Sequence, residues 1–253
     1  MQTSNVALIL AAGNGSRLKN VSGSLPKPLV RVDGRPLLEH IILGSQIAGI
    51  ERFVIVLGYG GHEIRSWLRG RRFPGAQIEF VENLEYSKPN GISALKARAI
   101  IDEPFLLLMA DHLFDPQTAA DLLAQPLESD ATILAVDYKL RSIFDMDDAT
   151  KVACRGRHII DIGKNLVRYD AVDTGMFLCS PALFSALEQS MVDGSCSLSD
   201  GMRILAAKRK FYAFDIGDAV WQDVDTPEAL TYASDVLLER SRVNRVVTEA
   251  AHV

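Results

Sequence analysis

Val6-Ala-Leu-Ile-Leu-Ala-Ala-Gly-Asn-Gly-Ser-Arg-Leu18 decides how the rest of the chain is read. Its first five residues form a continuous apolar run of strand length, the pattern of a strand covered on both faces. Small residues and glycines follow. They let the backbone approach a ligand closely, and Gly13 and Gly15 can take positive φ. Amide groups of such a loop converge on anionic oxygens, and in open α/β sheets ligands gather at the carboxyl ends of the strands. Taken alone, G-x-G also describes an ordinary strand-to-helix turn. A dinucleotide loop would need a third glycine where Leu18 stands, and the G-x-x-x-x-G-K-[ST] phosphate loop occurs nowhere.

Working outward, Phe53–Leu57, Ile78–Val81 and Phe105–Met109 repeat the buried-strand pattern. Leu37–Ala48, His62–Leu68 and Ser93–Ile101, the last with Ser93 near its start, carry apolar residues at helical spacing between them. That alternation predicts a doubly wound α/β sheet. Past Asp130 the spacing predicts a strand at Ala131–Val136 and a polar stretch at Arg141–Thr150. A hairpin follows, pairing Thr150–Ala153 with His158–Ile162 around Arg155-Gly156, then a strand at Thr174–Cys179. A helix over Pro181–Met191, a strand at Phe211–Ile216 and a helix from Pro227 to Arg240 complete the pattern. The expectation is one Rossmann-like domain over residues 1–240, with a mostly parallel mixed sheet and an inserted β excursion, and then a polar tail over 241–253.

The chain has 253 residues, 48% of them apolar and 23% charged, the balance of a soluble globular protein. Lys and Arg total 27 against 32 Asp and Glu, a net charge of −5, so no nucleic-acid surface is expected. No apolar run approaches the ~20 residues of a membrane span, and Met1-Gln-Thr-Ser-Asn5 lacks the basic start of an export signal. Cys154, Cys179 and Cys196 are widely spaced with no C-x-x-C pair, which argues against a disulfide framework or zinc site and for the cytoplasm.

A second basic element follows the glycine-rich turn. Pro26 and Pro28 stiffen the backbone on either side of Lys27, so its ammonium can be aimed at little ordering cost. Leu10-Ala-Ala-Gly-x-Gly-x-Arg-Leu18, Pro26-Lys-Pro-Leu29, Ala110-Asp111 and Trp221-Gln-Asp-Val-Asp-Thr-Pro227 together resemble the nucleotidyltransferases that make NDP-sugars and CDP-alcohols, over about residues 5–235. The resemblance implies attack by a phosphomonoester oxygen on the α-phosphorus of a nucleoside triphosphate, with release of pyrophosphate. Such a monoester, with a second pKa of about 6, is mostly dianionic at neutral pH and needs no general base. What the reaction does need is positioning, positive charge and a metal ion.

The same resemblance implies the site. Arg17 and Lys27 are its catalytic cations at the triphosphate. Leu10, Ala11, Ala12, Gly13 and Gly15 belong to the nucleotide-holding loop, with Ala110 beside it. Asp111 is expected to bind Mg²⁺, which favours carboxylate and phosphate oxygens, together with Asp223 or Asp225. Lys88-Pro-Asn-Gly-Ile-Ser93 resembles a base-recognition loop in which Asn90 offers donor and acceptor, Gly91 permits close approach and Ser93 follows. Lys164, less strongly Lys151, is assigned to the acceptor phosphate and Asp173 to acceptor hydroxyls, in a β excursion on the acceptor side. His112 either supports its neighbour Asp111 or simply packs.

Met109-Ala-Asp-His-Leu-Phe-Asp-Pro116, Asp147-Asp-Ala-Thr-Lys-Val152, Ile162-Gly-Lys164 and Asp170-Ala-Val-Asp-Thr-Gly-Met-Phe177 are similar to CTP:inositol-1-phosphate cytidylyltransferases. This implies CTP and a small phosphorylated alcohol as substrates. In many such relatives the domain is fused to a membrane-embedded CDP-alcohol transferase. No such segment occurs in this sequence, so a free-standing monomer or homodimer, or one half of a split system with that transferase downstream, is expected. Phosphocholine, an aminoalkylphosphonate or a sugar 1-phosphate is the alternative acceptor, and a non-catalytic nucleotide sensor is the reading from a different class.

Overall fold

The computed structural model describes residues 4–18, 23 and 25–235. The end of the expected last helix and the tail at 241–253 lie outside the described residues. The first half of the chain forms a parallel block. β1 (Val6–Ala11) pairs with β4 (Arg52–Leu57) on one side and β6 (Phe105–Met109) on the other, β5 (Gln77–Glu82) extends the edge beyond β4, and β2 (Arg31–Val32) with β3 (Arg35–Pro36) forms a separate short ribbon. Alternate side chains of β1 enter different cores: Val6, Leu8 and Leu10 on one face, Ala7, Ile9 and Ala11 on the other. That double burial is why the strand reads as an unbroken apolar run.

Helices cover both faces. α1 (Leu37–Ile47), α2 (Gly61–Arg69) and α4 (Pro116–Leu123) bury Leu38, Ile41, Ile64, Leu68 and Leu122 in one core. α3 (Asn90–Leu95), α5 (Ala182–Gln189) and α6 (Leu198–Ala207) bury Ile92, Phe184, Leu187 and Met202 in the other. The helix expected over Ser93–Ile101 instead starts at Asn90, directly after extended Pro89, and ends at Leu95. Its continuation winds tighter, with the amides of Lys96, Ala97 and Arg98 bonding to carbonyls three residues back. α6 has no counterpart in the sequence reading. Its signal was present in Ser197-Leu-Ser-Asp200, where the Ser197 hydroxyl accepts from the Asp200 amide and the Asp200 carboxylate accepts from the Ser197 amide.

In the second half the sheet is mixed. β11 (Ala171–Cys179) runs antiparallel to β6 and to β8 (Thr132–Asp137), while β12 (Phe211–Asp215) is parallel to β8. The expected hairpin, β9 (Lys151–Arg155) with β10 (His158–Gly163), forms. It joins the main sheet through His158 opposite Tyr212 and through Lys151 and Val152 opposite the first residues of β11. β10 and β11 run against the other seven strands of this nine-stranded mixed sheet, and parallel pairs are β5–β4, β4–β1, β1–β6 and β8–β12. β11 shifts register between Asp173 and Phe177, where Gly175 takes φ +76°. Among the described residues, no helix is long and apolar enough to cross a membrane.

Candidate active site

The carboxyl end of β1 leads into the glycine turn, and the turn is shaped by Lys27. Gly15 has φ +55°, and a Cβ there would stand 2.6 Å from Lys27 Cβ. The Pro26 ring presses on Gly60, where a Cβ would meet Pro26 Cγ at 2.3 Å. Lys27 is thus fixed from both sides and is only 7% exposed. A cavity of about 200 Å³ opens beside it, with Leu10, Ala11, Gly13, Gly15, Arg17 and Ala110 among its walls. Ala12 is buried outside that wall, its carbonyl accepting from the Tyr59 amide.

Three carboxylates converge on Lys27. Asp111 follows β6, and Asp223 closes β13 (Trp221–Asp223), which pairs with β7 (His112–Phe114) so that Asp223 lies opposite His112. The Lys27 Nζ is 2.6 Å from Asp111 Oδ2 and 3.7 Å from Asp223 Oδ1, and it also donates to Asp225. Arg17 donates to Asp225 and to Asp148. Asp225 therefore sits between two cations, whereas Asp223 Oδ1 is buried with no hydrogen-bond partner. The carboxylates of Asp111 and Asp223 together with His112 bring one ligand atom each within 4.8 Å of one another, as do Asp148, Asp223 and Asp225. An orphaned carboxylate oxygen amid hard oxygen donors fits a divalent cation such as Mg²⁺.

The electrostatics follow from this crowding. Burial pushes the Asp111 carboxyl up, but the charges of Lys27 and His112 outweigh it and hold the group well below the usual carboxylate range. Burial opposes charge on His112 as well, yet Asp223 and Asp111 raise it to about 9, so the ring is an imidazolium at neutral pH. Asp223 is raised by its burial and by the neighbouring Asp111 charge, against His112 and Lys27.

A larger cavity of about 470 Å³ shares Asp111 and Asp225 with the first and extends over β8, β10 and β11. Lys164 and Asp173 line it, and Phe144 stacks on Tyr232 at its wall, with centroids 4.8 Å apart. Lys164 Nζ is 2.5 Å from Asp148 Oδ1, so Asp148 ties Lys164 to Arg17. Asp173 accepts from the Gly175 amide at 2.7 Å, and burial raises its carboxyl to about 6. Lys151 is buried outside both walls, its Nζ donating to the Asp147 carbonyl at 3.2 Å.

Residues 88–93, expected as a loop, instead lead into and form the first turn of α3, and they are tied to the protein itself. Asn90 borders the larger cavity, but its Oδ1 accepts from the Leu198 amide at 2.9 Å. A Cβ on Gly91 would fall 2.6 Å from the Cys196 carbonyl, so glycine there admits the neighbouring backbone. The Ser93 hydroxyl is buried and accepts from Asn83 at 2.9 Å. Sequence reasoning missed Asp148, Phe144 and Tyr232. Only the run of acids at Asp145, Asp147 and Asp148 carried a signal for them.

The chain is similar to known proteins over most of its length. A protein named bifunctional IPC transferase and DIPP synthase from Rubrobacter xylanophilus is 36% identical over 235 residues, 92% of this chain and 52% of its own. Its namesake from Aquifex aeolicus is 32% identical over 236 residues, again 92% of this chain and 52% of its own. The chain thus spans about half the length of these curated relatives. The solved structure of the inositol-1-phosphate CTP transferase from T. maritima superposes with a TM-score of 0.81 at 28% identity, covering 90% of this chain and 92% of that one. The MobA-like NTP transferase domain matches residues 7–209, and the chain belongs to that family.

Proposed function

We propose that this chain transfers a cytidylyl group from CTP to inositol 1-phosphate, giving CDP-inositol and pyrophosphate. One observation carries the reading: Asp111 and Asp225, both paired with the buried Lys27, form the wall shared by two cavities at the carboxyl edge of the sheet. A nucleotidyl transfer needs that layout, because two anionic substrates must meet at one phosphorus from opposite sides. The names of the relatives supply the nucleotide and the acceptor.

In this reading the smaller cavity takes the triphosphate. Leu10, Ala11, Gly13, Gly15 and Ala110 form its bed, and Ala12 braces it from behind. Lys27 and Arg17, paired here with Asp111, Asp225 and Asp148, turn to the phosphate oxygens and stabilise the charge that builds there. Asp111 and Asp223 would hold Mg²⁺. Asp225, already engaged by two cations, is the less suited of the two alternatives to Asp111's partner. When bound, the ion supplies charge neutralisation and orientation at the phosphates. Asn90 offers its amide nitrogen to the base, with Gly91 and Ser93 holding that first turn of α3 in shape. On the acceptor side, where the β9–β10 hairpin forms the excursion, Lys164 meets the acceptor phosphate and Asp173 the ring hydroxyls. Lys151 contributes positive potential rather than contact. The acceptor phosphate is its own nucleophile, so no side chain has to take a proton. A cytoplasmic setting suits the three free thiols, and a membrane CDP-alcohol transferase suits the product as its consumer.

A pyrophosphate-release screen tests this: four nucleoside triphosphates crossed with inositol 1-phosphate, glucose 1-phosphate, phosphocholine and aminoethylphosphonate. Release with CTP and inositol 1-phosphate alone, lost in Asp111→Ala, is expected. Release with another pair would replace the substrate and leave the chemistry standing. Silence across the matrix with tight CTP binding would make the chain a sensor.

A further inference from the structure

His112 lies next to Asp111 and has no part in the chemistry above, yet the fold goes to unusual lengths to hold it. Its Nδ1 donates to Asp111 Oδ1 at 2.7 Å, while the other oxygen of that carboxylate, Oδ2, faces Lys27 Nζ at 2.6 Å. The imidazole ring stacks on Trp221 with centroids 5.8 Å apart and planes inclined by 13°. The indole is itself anchored, its Nε1 donating at 2.9 Å to Oδ2 of Asp137, which is only 3% exposed. Below the ring the chain gives way. Gly175 sits at the β11 irregularity with φ +76°, and a Cβ there would stand 2.5 Å from His112 Cδ2.

We propose that His112 is a positioning residue that locks the Asp111 carboxylate in one orientation, holding Oδ1 so that Oδ2 is presented to the cation and the reacting phosphates. The inference rests on the reading of Asp111 as a metal ligand. A histidine present only to fill space would be satisfied by apolar contact. Here it makes a directed bond to the one carboxylate, is pinned on its ring face by an anchored tryptophan, and occupies a seat that any side chain at position 175 would close. A carboxylate free to rotate has to be ordered when the cation arrives. One already fixed by a donor has been ordered by folding, and such outer partners change metal affinity by roughly 10–100-fold when removed. Trp221 and Gly175 serve the same end at one further remove.

Mn²⁺ binding to the full chain, read from the electron paramagnetic resonance signal of the free ion, tests this without turnover. His112→Ala should weaken Mn²⁺ binding roughly 10–100-fold. His112→Asn, whose amide nitrogen can stand near the position of Nδ1, should recover most of that loss. Gly175→Ala should weaken binding by displacing the ring, and in the His112→Ala background it should add nothing, because the ring it displaces is gone. Unchanged affinity in His112→Ala, no recovery in His112→Asn, or simple addition of the Gly175→Ala and His112→Ala effects would overturn the proposal. Should His112→Ala not fold, Gly175→Ala alone decides, since it moves the imidazole without removing it, and unchanged affinity sinks the idea. Wild-type Mn²⁺ binding that is indifferent to Asp111→Ala would overturn the metal reading first, and the positioning role with it.

Discussion

The two cavities meet at Asp111 and Asp225 but are built by different means. The smaller is made largely by the end of β1, two glycines and a proline-flanked lysine, with Gly15 packed on Lys27 and with Ala110, Asp111 and Asp225 closing it. The larger is assembled from side chains on β8, β10, β11, the Leu140–Thr150 loop and the helix that begins at 227. The first works by close backbone approach and concentrated charge. The second works by shape, an aromatic pair and scattered polar groups. A single substitution should therefore cost far more in the first than in the second.

Lys27→Met puts that contrast to its hardest test. It leaves Asp111, Asp223 and Asp225 facing one another without their common cation, and turnover should fall about 10²–10³-fold, the usual cost of losing one preorganised stabilising group. Steady-state pyrophosphate release measures it. Lys27→Arg should not restore activity, because the seat against Gly15 and Pro26 is cut for a narrow stem and the guanidinium is a planar fork. Gly15→Ala comes next. The new methyl would press on Lys27 Cβ at 2.6 Å from a backbone at φ +55°, so kcat/KM should drop about tenfold or more, for a strain of roughly 1–3 kcal/mol. A silent Gly15→Ala would show that the loop is an ordinary turn.

Phe144→Ala removes half of the aromatic pair on the larger cavity. Such a pair is worth about 0.5–1.5 kcal/mol, so KM for the acceptor should rise up to roughly tenfold. KM for CTP should stay where it is; a shift in both would erase the distinction between the cavities. Asp148→Asn should act in the opposite direction. Its carboxylate holds both Arg17 and Lys164, and exposed pairs of this kind are worth about 0.2–1 kcal/mol. Freed of it, those cations should bind inorganic pyrophosphate about two- to fivefold more tightly in calorimetry. Weaker binding would instead make Asp148 part of the ligand site.

The same division explains what could be read from the sequence. Leu10 to Leu18 and Pro26 to Leu29 were legible because each function there is carried by adjacent residues, where glycine, proline and an apolar run have one physical reading apiece. Asp111 and the Asp223, Asp225 pair were legible as motifs, but the choice within the pair depends on which carboxylate Arg17 and Lys27 engage, a contact across some 200 positions. Gly91 and Ser93 show the reverse case. Their spacing suits a base-recognition loop, yet the space beside Gly91 is taken by the Cys196 and Ser197 backbone and the Ser93 hydroxyl by Asn83. Phe144 and Tyr232 lie 88 residues apart as numbered in the sequence, and nothing local in either marks a stacking partner. Strands are legible where both faces are buried, whereas the start of α6 is marked only by its box at Ser197 and Asp200.

Asp173 gives the smallest expected effect and the finest test of the larger cavity. Burial raises its carboxyl to about 6, offset only in part by the Gly175 amide, against an ordinary value of about 3.9. Above pH 6 the group is ionised in both folded and unfolded chains, and the folded state bears the cost of a buried charge. As pH falls from 6 towards 4 the folded chain takes up a proton that the unfolded chain does not, and stability rises. Asp173→Asn keeps an oxygen for the Gly175 amide and discards the charge. Its Tm should therefore exceed that of the wild type by roughly 2–4 °C at pH 8, the worth of about 1 kcal/mol in a chain of this size. That gain should shrink steadily towards pH 4. A variant less stable than wild type at pH 8 would mean that the ionised carboxylate is held by a partner, and the cavity would then resemble its neighbour. If the gain is found together with a raised KM for the acceptor, the acid is kept at a cost in stability for what it contacts, as expected of a group placed for hydroxyl recognition rather than for packing.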